Sequence, residues 1–186
     1  MRKFLGAIFL FLGLQQAQAA ADLGLELGAR YQYGSIAGAN FVANPMWGFQ
    51  GGAFYHIPLG LMQHLRTGLY YTQKPIQSED LITGDKIDYR LDYLEVPLEF
   101  LLKPSEFIGI HFGFITSINV GSTCSGNPSC RVVDVQAFTF PWVGGIILKP
   151  TPKLGFNFYL DGANYLVARG IGDFRSVGMN LMYSLE

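Results

Sequence analysis

The sequence contains three histidines, His56, His64 and His111, beside a larger set of carboxylates and arginines. A histidine with a serine and a carboxylate in reach makes a nucleophile–base set for acyl transfer, provided that base and nucleophile are hydrogen-bonded. Each histidine here lies in a run of alternating residues, and no neighbouring run forces a serine beside it at a matching height. The sequence therefore assigns no catalytic residue. The ionic set is more telling. Glu26, Arg30, Arg66, Arg90, Asp92, Glu95, Glu99 and His111 recur at alternate positions, opposite apolar neighbours. Charges of both signs sharing one face need partners once they leave water. The expected chemistry is an interior network of ion pairs that fills space and sets register, in preference to catalysis or transport.

Cys124 and Cys130 flank Ser-Gly-Asn-Pro-Ser. In an exported chain such a pair is expected to close a small disulfide loop, worth roughly 2 kcal/mol in the chain-entropy view. A metal site would need a nearby histidine or a second cysteine pair, and neither is present. No cofactor or metal is expected. Export itself is read from the start of the chain. Met-Arg-Lys precedes the apolar run Phe4 to Leu14, and Ala17-Gln18-Ala19 then offers a small-residue cleavage site. This is the pattern of a secretory signal peptide over residues 1–21, cut after Ala19 or Ala21 and too short for a membrane helix. Removing Arg2 and Lys3 from a chain of 13 basic and 14 acidic residues leaves an acidic surplus. Without a basic patch, nucleic acid is excluded as a partner.

The elements that position these charges are strands. From Tyr89 to Lys103, apolar and charged residues alternate throughout, as in a strand with two unlike faces. Up to Tyr93 the odd positions are greasy, and from Leu94 the even ones are. That change predicts a bulge near Tyr93-Leu94, with Tyr93 on the apolar face and Pro97 close by. Six other runs alternate in the same way, 22–33, 46–57, 64–72, 108–120, 154–161 and 176–185, and a seventh, 132–148, does so least regularly, its phase blurred by Pro141 and the Gly144-Gly145 pair. Short turns at 58–60, 103–106 and 149–153 alternate with longer loops at 34–44, 74–86, 121–131 and 163–173. Short links between sequential strands favour antiparallel neighbours, and eight strands can close on themselves and hide every edge.

Lysines gather at strand ends (Lys74, Lys86, Lys103, Lys149, Lys153) and do not coat a face. Glycines and mixed charges share the polar face, and runs of ten residues or more suit a tilted bilayer crossing. Aromatics fall into two rims, Tyr31, Tyr33, Trp47, Tyr71, Tyr89 and Tyr93 near one, and Phe107, Phe156 and Tyr183 near the other. The expectation is an all-β, eight-stranded, antiparallel up-and-down transmembrane β-barrel with a polar interior. A secreted lipocalin-like carrier, with the greasy face inward, is the alternative.

Tyr93-Leu94-Glu95-Val96-Pro97-Leu98, following Gly68-Leu69-Tyr70-Tyr71 one strand earlier, resembles the PorT-type outer-membrane β-barrel family, whose members carry a Tyr-Leu-Glu-Ile-Pro-Leu strand after a Gly-Leu-x-Tyr strand. The last strand also resembles the carboxy-terminal signal read by the barrel-assembly machinery. It departs from that signal in ending Leu185-Glu186, where an aromatic residue is usual. The resemblance implies the outer membrane of a Gram-negative cell and so a setting of outer-membrane lipid. Separately, the long loops set against short turns lead to the expectation that the loops contact a surface partner or the lipopolysaccharide. The resemblance implies little about catalysis; small barrels similar to lipid A-modifying enzymes are the enzymatic alternative.

Overall fold

The computed structural model describes residues 22–126 and 128–185. The expected signal peptide, 1–21, lies outside the described residues. Ten strands form: β1 (Asp22–Ile36), β2 (Phe41–Pro58), β3 (Gln63–Asp80), β4 (Lys86–Leu102), β5 (Ile108–Ser125), β6 (Phe138–Thr139), β7 (Trp142–Leu148), β8 (Leu154–Gly162), β9 (Leu166–Ala168) and β10 (Ile171–Ser184). Eight of them, β1 to β5 with β7, β8 and β10, pair antiparallel in sequence. β10 returns to β1 from Gly24↔Ser184 to Ile36↔Ile171, which closes the ring. No sheet edge is left between the first and last strands, so backbone groups along that seam have partners without water.

The wall has two parts. Leu25, Leu27, Leu98, Phe112, Phe158, Val177, Met179 and Leu181 are among the outward residues exposed on its lower part. On β4 this apolar face runs from Leu94 to Leu102, about the nine to eleven residues a tilted strand needs to cross a bilayer. Above it the outward residues turn polar. On paired neighbours the change comes at one height: Leu94↔Tyr71 is the last apolar pair and Asp92↔Gln73 the next outward one. On the far side Tyr31↔Val177 gives way to Tyr33↔Arg175.

Several sequence expectations are corrected here. β2 and β3 reach further than expected, to Phe41 and Asp80, so much of the two predicted loops at 34–44 and 74–86 is strand. The run 132–148 is not one strand; residues 132–137 are not strand, and Phe140-Pro141 separates β6 from β7, which runs on through Gly144 and Gly145. Strand β4 does not change face. Leu91, Tyr93, Glu95, Glu99 and Leu101, all odd, are buried throughout. The extra residue belongs to β5, where Asp92 pairs with Gly121 and Tyr93 with Asn119, leaving Val120 over. Tyr93 is therefore an interior residue, fully buried, and not part of a rim.

Two glycines make room for the interior. A Cβ on Gly178 would sit 2.2 Å from Tyr159 Cζ, and one on Gly145 2.5 Å from His111 Nε2. Neither ring has free space to retreat into at interior packing density. Gly178→Leu is expected to block formation of the compact, heat-modifiable gel band of the folded barrel, whereas Met179→Leu on the outer face leaves that band intact.

Candidate functional site

The inward side chains of the lower barrel form stacked ionic layers. At the turn end, Asp22 meets Lys149 Nζ at 2.8 Å, Lys103 Nζ at 3.6 Å and His56 Nδ1 at 3.2 Å. Burial lowers the Lys103 ammonium pKa, and the Asp22 carboxylate opposes that shift. Here the turns are tied together as well, Lys103 N–H donating to Met62 O and Lys149 N–H to Phe107 O, both at 2.7 Å.

One layer up, Arg66 reaches between two carboxylates. Its Nη2 donates to Glu26 Oε1 at 2.7 Å and its Nη1 to both Glu99 oxygens at 2.8 Å. Glu99 also faces His111 Nδ1, while His111 Nε2 lies 2.9 Å from Asn157 Oδ1. Oxygens thus face both ring nitrogens of His111. Glu26 further accepts from Asn180 Nδ2 at 3.0 Å.

The next layer sets two cations, Arg30 and Lys74, against two carboxylates, Asp161 and Glu95. Arg30 donates to Asp161 at 2.7 and 2.8 Å and to Ser176 Oγ at 2.6 Å. Glu95 takes Lys74 Nζ at 2.6 Å and the hydroxyls of Thr72 and Ser117 at 2.8 Å each. Between these layers lies a cavity of about 20 Å³, room for about one water.

Six of the expected ionic residues, Glu26, Arg30, Arg66, Glu95, Glu99 and His111, are therefore brought together inside. Arg90 is not. It is exposed, its side chain 46 % accessible, with Asp92 on the same face at 3.3 Å. Asp92 is buried without joining the interior layers. Both belong to the upper wall, where the polar face is the outer one. Conversely, Lys74 looked like a loop residue and is an interior one. Its signal was the phase Tyr70, Thr72, Lys74, Ile76, which Pro75 obscures. Lys74 marks a boundary, with Glu95 on one side and the Tyr93 ring 4.9 Å away on the other.

Above Lys74 the interior becomes apolar. Ile76, Leu91, Tyr93, Val167, Ala168, Ile171 and Phe174 form one buried cluster across the mouth. Loop segments complete it: Gln136 N–H donates to Val167 O and Asn119 N–H to Ala137 O, both at 2.9 Å. Cys124 and Cys130 are joined as a disulfide, Cα atoms 5.7 Å apart. Two of the three histidines face carboxylates, His111 meeting Glu99 and also Asn157, and His56 meeting Asp22, and no serine hydroxyl is among these contacts.

No protein-family profile matches the sequence, and no curated protein does. Solved structures share the fold. The chain has the architecture of small outer-membrane β-barrels. It superposes on Ail, the attachment invasion locus protein of Yersinia pestis, crystallised with the heparin analogue sucrose octasulfate. The TM-score is 0.53 at 11 % identity, over 89 % of this chain and 99 % of that one. The outer membrane protein OprG from Pseudomonas aeruginosa gives 0.50 at 12 % identity, over 89 % and 94 %. At such identities the likeness concerns the fold alone.

The layers predict a specific energetic signature. Arg30→Met, which leaves Asp161 buried without its cation, should lower unfolding stability in detergent micelles by about 3–5 kcal/mol. Arg30→Met combined with Asp161→Leu should recover more than half of that loss in urea titrations followed by tryptophan fluorescence.

Proposed function

We propose that this protein resides in the outer membrane as a non-enzymatic β-barrel whose loops form a binding surface above a closed lumen. The observation that carries the reading is the reversal of polarity at one height of the wall. Below Leu94 and Tyr71 the outside is apolar and the inside ionic; above them exposed Arg90 and Arg175 join Tyr33, Val42 and Val120 on the outside, and the inside is apolar. A wall exposed to hydrocarbon below and to water above has this pattern, and a soluble carrier, wet along its whole length, does not.

Several features support a closed lumen. The ionic layers pair carboxylates with cations, the cavity between them has room for about one water, and the apolar cluster lies across the mouth. Nucleophile–base geometry is missing from the described histidine contacts, which favours binding over catalysis. Lipopolysaccharide and outer-membrane lipid would contact the apolar band, and the barrel-assembly machinery would insert it. The PorT-type resemblance of Tyr93 to Leu98 agrees with such a barrel, and names no partner for the loops.

On fractionation the chain should remain with outer membranes after salt and carbonate washes; release into plain buffer would overturn the assignment. Proteinase K on intact cells should cut within the exposed β3–β4 tip, Leu81 to Asp85, and leave the eight wall strands protected. Mass spectra of lipid A from cells with and without the gene should be identical, and a mass difference of one acyl chain would favour the lipid-modifying enzyme instead.

A further inference from the structure

Above the apolar cluster, the mouth holds a cavity of about 260 Å³ that the ionic layers do not explain. Ile36, Phe41 and Ile171 supply apolar wall, and Ser78, Arg131 and Arg169 supply polar groups. Ser78 is 3 % exposed and lines the cavity from β3.

The charge in this cup is unbalanced by one. Arg169 is taken: its Nε lies 2.9 Å from Asp134 Oδ2, and its Nη2 meets the same oxygen. Arg131 has no carboxylate within ion-pair distance among the described residues. Neither Glu79, which meets Lys86 at 3.5 Å, nor Asp173, which accepts from Ser35, lines the cavity. A single negative charge therefore matches the cup, whereas a dianion would bring a second charge beside Asp134.

The walls are held in place before any ligand arrives. The disulfide ends at Cys130, one residue before Arg131. Arg169 N–H donates to Val133 O at 2.9 Å, and Ala37 N–H to Gly170 O at 2.8 Å. Asp134 is kept at φ 53° between these ties, a left-handed conformation that costs a residue with a Cβ and needs surrounding structure to hold it. Such preorganisation reduces the ordering cost of binding.

We propose that the cup binds a small organic monoanion, a carboxylate carried on one ring or on a branched aliphatic body. Arg131 takes the carboxylate, the Ser78 hydroxyl donates to it or to a polar substituent, and the apolar wall covers the body. A cavity of about 150 Å³ already admits benzene, so this one accommodates a ring with its carboxylate. The inference rests on the reading of the loops as a binding surface, and it adds the ligand's chemical class.

The test is calorimetry at pH 7 on the full chain in nanodiscs of zwitterionic lipid, with empty nanodiscs subtracted. Benzoate, benzyl alcohol and phenyl phosphate are the probes. Benzoate should bind saturably and at least about tenfold more tightly than either of the others, since a charge-assisted hydrogen bond is worth about that factor. Arg131→Gln, on an exposed loop, should weaken benzoate by about tenfold, and Ala37→Trp should fill the cup and abolish binding. Should Ala37→Trp fail to fold, Arg131→Gln decides alone. No saturable benzoate binding, equal affinity in Arg131→Gln, or phenyl phosphate binding as tightly as benzoate would each overturn the proposal. A chain that fractionates with the outer membrane yet ignores benzoate sinks the cup and leaves the barrel reading standing; a chain released into buffer does the reverse.

Discussion

One constraint organises this molecule: each face of a single continuous wall meets a different medium at different heights. A β-strand sends successive side chains to opposite faces, and that rule does not change along its length. What changes is which face is wet. In the lower part the outer face is apolar and the inner one must hold every polar group. In the upper part the outer face carries exposed Arg90 and Arg175, and the inner face collects Leu91, Tyr93 and Phe174. Strand β4 crosses this boundary with its odd residues pointing inward throughout, so Tyr93 and Glu95, two positions apart, face the same way into opposite environments.

The ionic interior follows from that constraint. Charges enclosed by eight strands have lost most of their water, and each isolated one would cost several kcal/mol. Paired layers limit this: Arg66 with Glu26, Glu99 and His111, then Arg30 and Lys74 with Asp161 and Glu95. Such pairs add little net stability over an apolar filling. Their effect is on specificity, because a strand shifted by one residue would strand a charge against lipid. Glycines opposite the large rings belong to the same arrangement, since Tyr159 and His111 occupy the space that a side chain at Gly178 or Gly145 would need.

At the mouth, physics of the soluble kind takes over. The loop segments are pinned by backbone hydrogen bonds, a disulfide and the Arg169–Asp134 pair, over an apolar cluster that closes the barrel from above. Rigid loops on a rigid wall are suited to holding one shape toward a ligand. Inside the wall, His111 faces Glu99 and Asn157, His56 faces Asp22, and the cavity between the ionic layers has room for about one water.

Alternation by itself determined the number of wall strands, their antiparallel order and the identity of most interior charges, because period two is a local property that each run displays alone. The flip in chemistry at Tyr93-Leu94 was also visible there. Its meaning was not. A change of inward residue type and a change of strand direction leave the same trace in a sequence, and only the paired register, with Val120 as the extra residue on β5, tells them apart. Arg90 was assigned to the interior and Tyr93 to the rim for that reason, and Lys74 was hidden behind Pro75. The cup at the mouth was equally out of reach, since Ser78, Arg131 and Arg169 come together only through ring closure and loop contacts between residues far apart in the chain.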